Sequence, residues 1–177
     1  VSVGCVMATG TGTLTKTGSA DVYLTANNTL TGSTTISGGT LYLGTGSTAG
    51  TVAGAIVNNA SLVVNRSNDL TLSGLISGTG GLTKNGLGAQ TLSGNNLFTG
   101  NTTVNAGSLN ITGSYVGSAT TTLLIYGNSS GKAVVNVSGD MSLFATQGAN
   151  AFGAVSVYNQ TACNVILGQN SSASNQF

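Results

Sequence analysis

Apolar residues in this chain come in short alternating runs. Thr13-Leu14-Thr15, Val22-Tyr23-Leu24, Thr40-Leu41-Tyr42-Leu43, Ser61-Leu62-Val63-Val64 and Leu70-Thr71-Leu72 open the series. Ser108-Leu109-Asn110-Ile111, Val134 to Val137, Val155-Ser156-Val157 and Val165-Ile166-Leu167 continue it. Each run ends in Gly, Asn or Ser-Gly. A period of two with turn residues at its ends predicts strands, and the shortage of Glu, Gln, Lys and Arg argues against helices.

An internal repeat organises these strands. Residues 10–44 align without a gap over residues 78–112, an offset of 68, with 16 of 35 positions identical. Leu14 matches Leu82, Lys16 matches Lys84, and Gly18 matches Gly86. Asn27-Asn28 match Asn95-Asn96, Thr31-Gly32 match Thr99-Gly100, and Gly39 matches Gly107. Residues 45–77 and 113–177 keep the same texture as degenerate coils. Short strands alone admit a sandwich or a solenoid, but repetition of the sequence favours stacking of each strand on an equivalent in the next coil. The expected fold is therefore all-β, a right-handed parallel β-helix (β-solenoid) of roughly 7–9 coils forming one domain over residues 1–177, with Leu, Val and Ile stacked inside.

Composition fits that fold. Charged residues make up 4 % of the 177, Pro, His and Trp are absent, and 28 are Gly. Equivalent residues in neighbouring coils lie about 4.8 Å apart. Columns of like charge at that distance repel, whereas Asn, Ser and Thr columns share hydrogen bonds. The net charge of +1 gives no electrostatic reason for binding nucleic acid or an anionic membrane. No apolar run is long enough to span a bilayer, so no membrane insertion of this segment is expected.

The segment GLTKNGLGAQTLSGNNLFTGNTTVNAGSL resembles the autotransporter-associated β-strand repeat of secreted bacterial surface proteins. The Leu-x-Lys-x-Gly start, Thr-Leu-Ser-Gly, Asn-x-Phe-Thr-Gly, Thr-Thr-Val and Gly-x-Leu elements all fall within residues 82–109. Residues 14–41 match more loosely, with Leu30 at the aromatic position. With degenerate copies, the likeness covers about two-thirds of the chain. It implies an extracellular or cell-surface β-helical stalk belonging to a longer protein, and its motif carries no catalytic residue.

Candidate chemistry is sparse. Asp21, Asp69 and Asp140 are far apart in sequence, and with no His there is no evident metal site, cofactor site or catalytic set. The chain is read as a non-enzyme with no cofactor. Lys16 and Lys84 share a repeat position, and a solvated corner is the favoured reading over a basic ligand-contact column. The Thr11, Thr13, Thr15, Thr17 alternation does not persist on every coil as an ice-binding rank requires. Nine Asn-x-Ser/Thr sequons, among them Asn65, are weak signals in so Asn-rich a chain.

Two functions remain open: a stalk or self-assembling fibre subunit, or an adhesin-type module whose side contacts glycans or another cell. A binding face should expose an aromatic or charged cluster, whereas Tyr23, Tyr42, Tyr115, Tyr126 and Tyr158 are scattered in sequence. The expected partners are other copies stacked head to tail, or flanking segments of a longer chain. Cys5 and Cys163 sit in early and late coils, too far apart to pair within one solenoid, and an intersubunit disulfide across a stacked junction is the alternative to two free thiols.

Overall fold

The structure, a computed structural model, describes residues 10–117 continuously, then Thr121, Leu123–Tyr126 and residues 133–138. Strands Ser2–Val3, Met141–Ser142, Val155–Tyr158 and Cys163–Leu167 are described by their backbone pairing. Every strand pairing described is parallel. The chain is an all-β parallel solenoid, as the repeat predicts.

Each coil has three faces. The first carries Leu14–Lys16, Thr34–Ile36, Ile56–Asn58 and Ile76–Ser77, and a bridge from Asn96 to Tyr115 continues it. The second is an eight-stranded ladder comprising Ser2–Val3, Val22–Leu24, Thr40–Ser47, Ser61–Arg66, Gly81–Lys84, Thr102–Val104, Leu123–Tyr126 and Val155–Tyr158. The third carries Leu70–Leu72, Gln90–Leu92, Gly107–Ile111, Ala133–Val137 and Cys163–Leu167. On the second face Leu41 pairs with Leu62, Leu62 with Leu82 and Leu82 with Thr102, so a coil takes about 20 residues. About five turns fall within residues 10–117, where five strands of this face lie.

Strand alternation builds the core. Leu24, Leu43, Val64, Val104 and Ile125 lie in one inward column of the second face, with Lys84 in the slot between Val64 and Val104, and Leu72, Leu92, Ile111 and Val137 form one of the third. All are buried. Burying a Leu or Ile side chain contributes about 1.5–3 kcal/mol, and column stacking repeats that gain on every coil. Polar residues also take inward slots where they find partners. Thr102 hydroxyl and Tyr115 phenol share a hydrogen bond of 3.0 Å inside the core, and Phe98 stacks on Tyr115 with ring centroids 4.8 Å apart.

The outer columns hydrogen-bond between coils as the missing charges suggest. Asn105 Nδ2 donates to Asn85 Oδ1 at 2.7 Å, and Asn136 Nδ2 to Asn110 Oδ1 at 2.7 Å. One corner is a column of glycines: Gly12, Gly32, Gly54, Gly74, Gly94 and Gly113. A Cβ on each of the last five would lie 2.2–2.6 Å from the carbonyl oxygen of the glycine one coil earlier. Only a residue without a Cβ lets the backbones approach so closely. The Thr-Gly and Ser-Gly pairs at 11–12, 31–32, 73–74, 93–94 and 112–113 fall at this corner.

The 68-residue offset is not a whole number of coils. Leu14–Lys16 lies on the first face, but its repeat partner Gly81–Lys84 lies on the second. Val22–Leu24 lies on the second face and Gln90–Leu92 on the third. The second copy is therefore set one face further around the axis.

Candidate functional site

The two repeat lysines correct the sequence reading. Lys16 and Lys84 are neither solvated nor aligned in one column; they are 4 % and 2 % exposed and sit on different corners. Each is the inward last residue of its strand, and its ammonium folds back onto the turn that follows. Lys16 Nζ donates to the carbonyls of Thr17, Gly18 and Gly38 at 2.7–2.9 Å. Lys84 Nζ donates to the carbonyls of Gly86 and Ala106. Gly18 and Gly86 are equivalent in the repeat, as are Gly38 and Ala106. The Leu-x-Lys-x-Gly motif is thus a corner device, in which an ammonium satisfies carbonyls of two successive coils.

Arg66 serves a neighbouring corner. Its Nη1 donates to Gly50 O and Asn27 Oδ1, its Nη2 to Thr48 O and Asn68 Oδ1, and its Nε to Asn68 Oδ1. All five guanidinium N–H groups are engaged. The three described cations are therefore turned inward, and none is free to meet an anionic ligand.

Burial holds Lys84 at a pKa of about 8, with the nearby Asp69 carboxylate opposing the drop. An unfolded lysine keeps its proton to about pH 10.4. Between those values the unfolded chain binds more protons, so stability rises with pH. Tyr115 acts oppositely: burial raises its phenol to about 12, so above about pH 10 the unfolded phenol ionises first and stability falls. Urea midpoints measured across this range should climb from about pH 8, turn over above about pH 10, and lose the climb in Lys84→Met.

Two outer features were not legible as a pair. Tyr23 and Tyr42, 19 residues apart, are register partners on adjacent coils of the second face. Their rings stack with centroids 4.3 Å apart and planes 16° from parallel. Burial, Asp21 and Tyr23 together raise the Tyr42 phenol above its ordinary pKa. Just beyond Tyr42 the strand Thr40–Ser47 breaks register between Leu43 and Ser47. The loop that follows is pinned by Arg66 through Thr48 and Gly50. Beside it opens a cleft of about 230 Å³, lined by Gly46, Asn65, Arg66, Ser67, Asn85 and Leu87 among others. The Asn65 amide and Ser67 hydroxyl make no side-chain hydrogen bond among the described residues, and Asn85 uses its Oδ1 for Asn105.

The remaining candidates fall as follows. Among the described residues no three His, Cys, Asp or Glu gather as a metal site. Asp69 Oδ1 accepts from Ala89 N at 2.8 Å, and Asp140 lies outside the described residues. Cys5 also lies outside them, and Cys163 is described only as backbone paired with Ala133. No described helix is long and apolar enough to cross a membrane.

Comparison with known proteins bears on the corner device directly. Residues 14–43 and 82–111, the segments carrying Lys16 and Lys84, match the passenger-associated-transport-repeat family. These are autotransporter passenger repeats. The chain is also similar to an adhesin autotransporter, BmaC, of Brucella suis biovar 1, at 43 % identity over 108 residues. That match covers 60 % of this chain and 3 % of the relative, so the chain spans a small fraction of the length of the curated protein it matches. No solved structure matches it significantly. Passenger repeats belong to the extracellular or cell-surface part of such proteins, and that is where this chain works. In both repeats the matched segment begins at the strand leading into the buried lysine and ends in the strand after the Gly39 or Gly107 turn.

Proposed function

We propose that the chain is a rigid, non-catalytic section of a β-helical adhesin passenger, holding binding surfaces away from the bacterial cell and contributing one on its side. The observation that carries this reading is the unbroken parallel ladder of the second face. Each coil is bonded along its length to the coils on either side, which gives a stiff rod of quasi-one-dimensional construction. The buried Lys16, Arg66 and Lys84 add to it, since a trypsin-like protease must first extract the side chain it recognises. The similarity to an adhesin autotransporter supports the surface role, and the Tyr23–Tyr42 stack and adjoining cleft support binding through the side over a purely mechanical role.

The test is replacement of residues 10–117 by a Gly/Ser linker of equal length in the full surface protein. A flexible coil of that length collapses to a much shorter mean span than its contour. Surface display should persist while adherence to host cells falls. Unchanged adherence at equal display would overturn the proposal.

A further inference from the structure

We propose that the cleft beside the Arg66-pinned loop is a subsite for an uncharged glycan, with one sugar unit seated against Asn65, Asn85 and Leu87 and the Tyr23–Tyr42 stack flanking it on the same outer face. The proposal rests on the adhesin reading and specifies its ligand.

The lining chemistry selects this occupant. Asn65 and Ser67 offer hydrogen-bonding groups that no described residue uses, and Asn85 retains its Nδ2. Neutral amides and hydroxyls are complements of sugar hydroxyls. Leu87, 57 % exposed, gives the rim an apolar edge against which the C–H face of a pyranose can lie. Aromatic rings serve the same faces, and Tyr42 of the stacked pair stands on Thr40–Ser47, the strand that leads into the cleft. An acidic ligand finds no free cation, because every N–H of Arg66 is committed to Thr48, Gly50, Asn27 or Asn68. Asp21, whose charge reaches Tyr42, adds repulsion. A peptide binding by strand addition needs an open sheet edge. Here Thr40–Ser47 and Ser61–Arg66 are each paired on both sides. The volume of about 230 Å³ lies below that of pockets for drug-sized molecules and suits a single ring.

The experiment screens the chain on an array of neutral, sialylated and sulfated glycans, then titrates the best neutral glycan by calorimetry into wild type, Asn65→Ala, Leu87→Ser and Tyr42→Ala. Neutral glycans should bind selectively, and affinity should fall about tenfold or more in Asn65→Ala and Leu87→Ser, the size of one or two lost contacts. The exposed position of Leu87 keeps that variant folded, which its melting curve verifies. Recognition of acidic glycans alone, no glycan bound, or undiminished binding by the folded variants would each overturn the cleft assignment. If adherence still depends on residues 10–117 in the linker replacement, the adhesin reading survives that loss; if it does not, both fail.

Discussion

Replacing Gly86 with alanine is expected to destabilise the solenoid severely through a clash between coils alone. A Cβ there would lie 1.9 Å from Arg66 O, 2.3 Å from Arg66 N and 2.6 Å from Arg66 C. These are backbone atoms of the preceding coil, paired with Ser47 on one side and bonded from Gly88 N on the other, so they have no rotamer to escape into. Overpacking a well-packed site costs about 1–3 kcal/mol when side chains can yield. With backbone on the other side, about 3 kcal/mol or more is expected. The same movement would pull Gly86 O away from the Lys84 ammonium and reopen the corner. Gly46→Ala is the control. Its φ of 91° strains any L-residue, but a Cβ there would meet only Asn65 Oδ1, at 3.9 Å. That variant should lose about 1–2 kcal/mol. Chemical denaturation of the two side by side checks the order, and equal losses would mean that coil contact is not what fixes Gly86.

Leu92→Asp should be comparably severe by a different route. Leu92 is buried between its column neighbours Leu72 and Ile111. The change removes about 1.5–3 kcal/mol of apolar burial and asks a carboxylate to enter a site with no described cation facing it. A loss on the order of 4 kcal/mol is expected, with the carboxylate taking up a proton to limit it. Because each coil contacts chiefly its neighbours, damage should be graded along the rod. Amide exchange should quicken most in Leu70–Leu72 and Gly107–Ile111 and least in Leu14–Lys16. Uniform loss of protection would show instead that the rod unfolds as one unit.

The parallel solenoid was readable from the repeat and the strand-length runs because both are consequences of stacking. Short strands with a threonine inside were harder. Thr34–Ile36 and Thr102–Val104 break the apolar alternation, since Thr34 and Thr102 are buried polar residues. Gln90 takes the inward slot between Leu70 and Leu109 although nothing in its neighbours marks it as interior. The lysines misled for a general reason. Charge predicts exposure unless a partner exists, and here the partners are backbone carbonyls, which carry no signature in side-chain sequence. The tyrosine pair was hidden because register, set by coil length, decides which residues 19 or 20 positions apart become neighbours. The cleft depends on a loop whose shape follows from Arg66 contacts reaching 16, 18 and 39 residues back.

The mismatch between repeat length and coil length has a directional consequence. An offset of 68 residues over coils of about 20 advances about 3.4 coils, or ~16 Å along the axis, while turning one face. Copies spaced this way behave like treads of a spiral stair, and three of them complete a revolution in ~50 Å. Anything attached at the same motif position of successive copies would point in three directions in turn. A longer passenger built on this spacing would present its features all around its circumference, so a cell that met it from any side would find one.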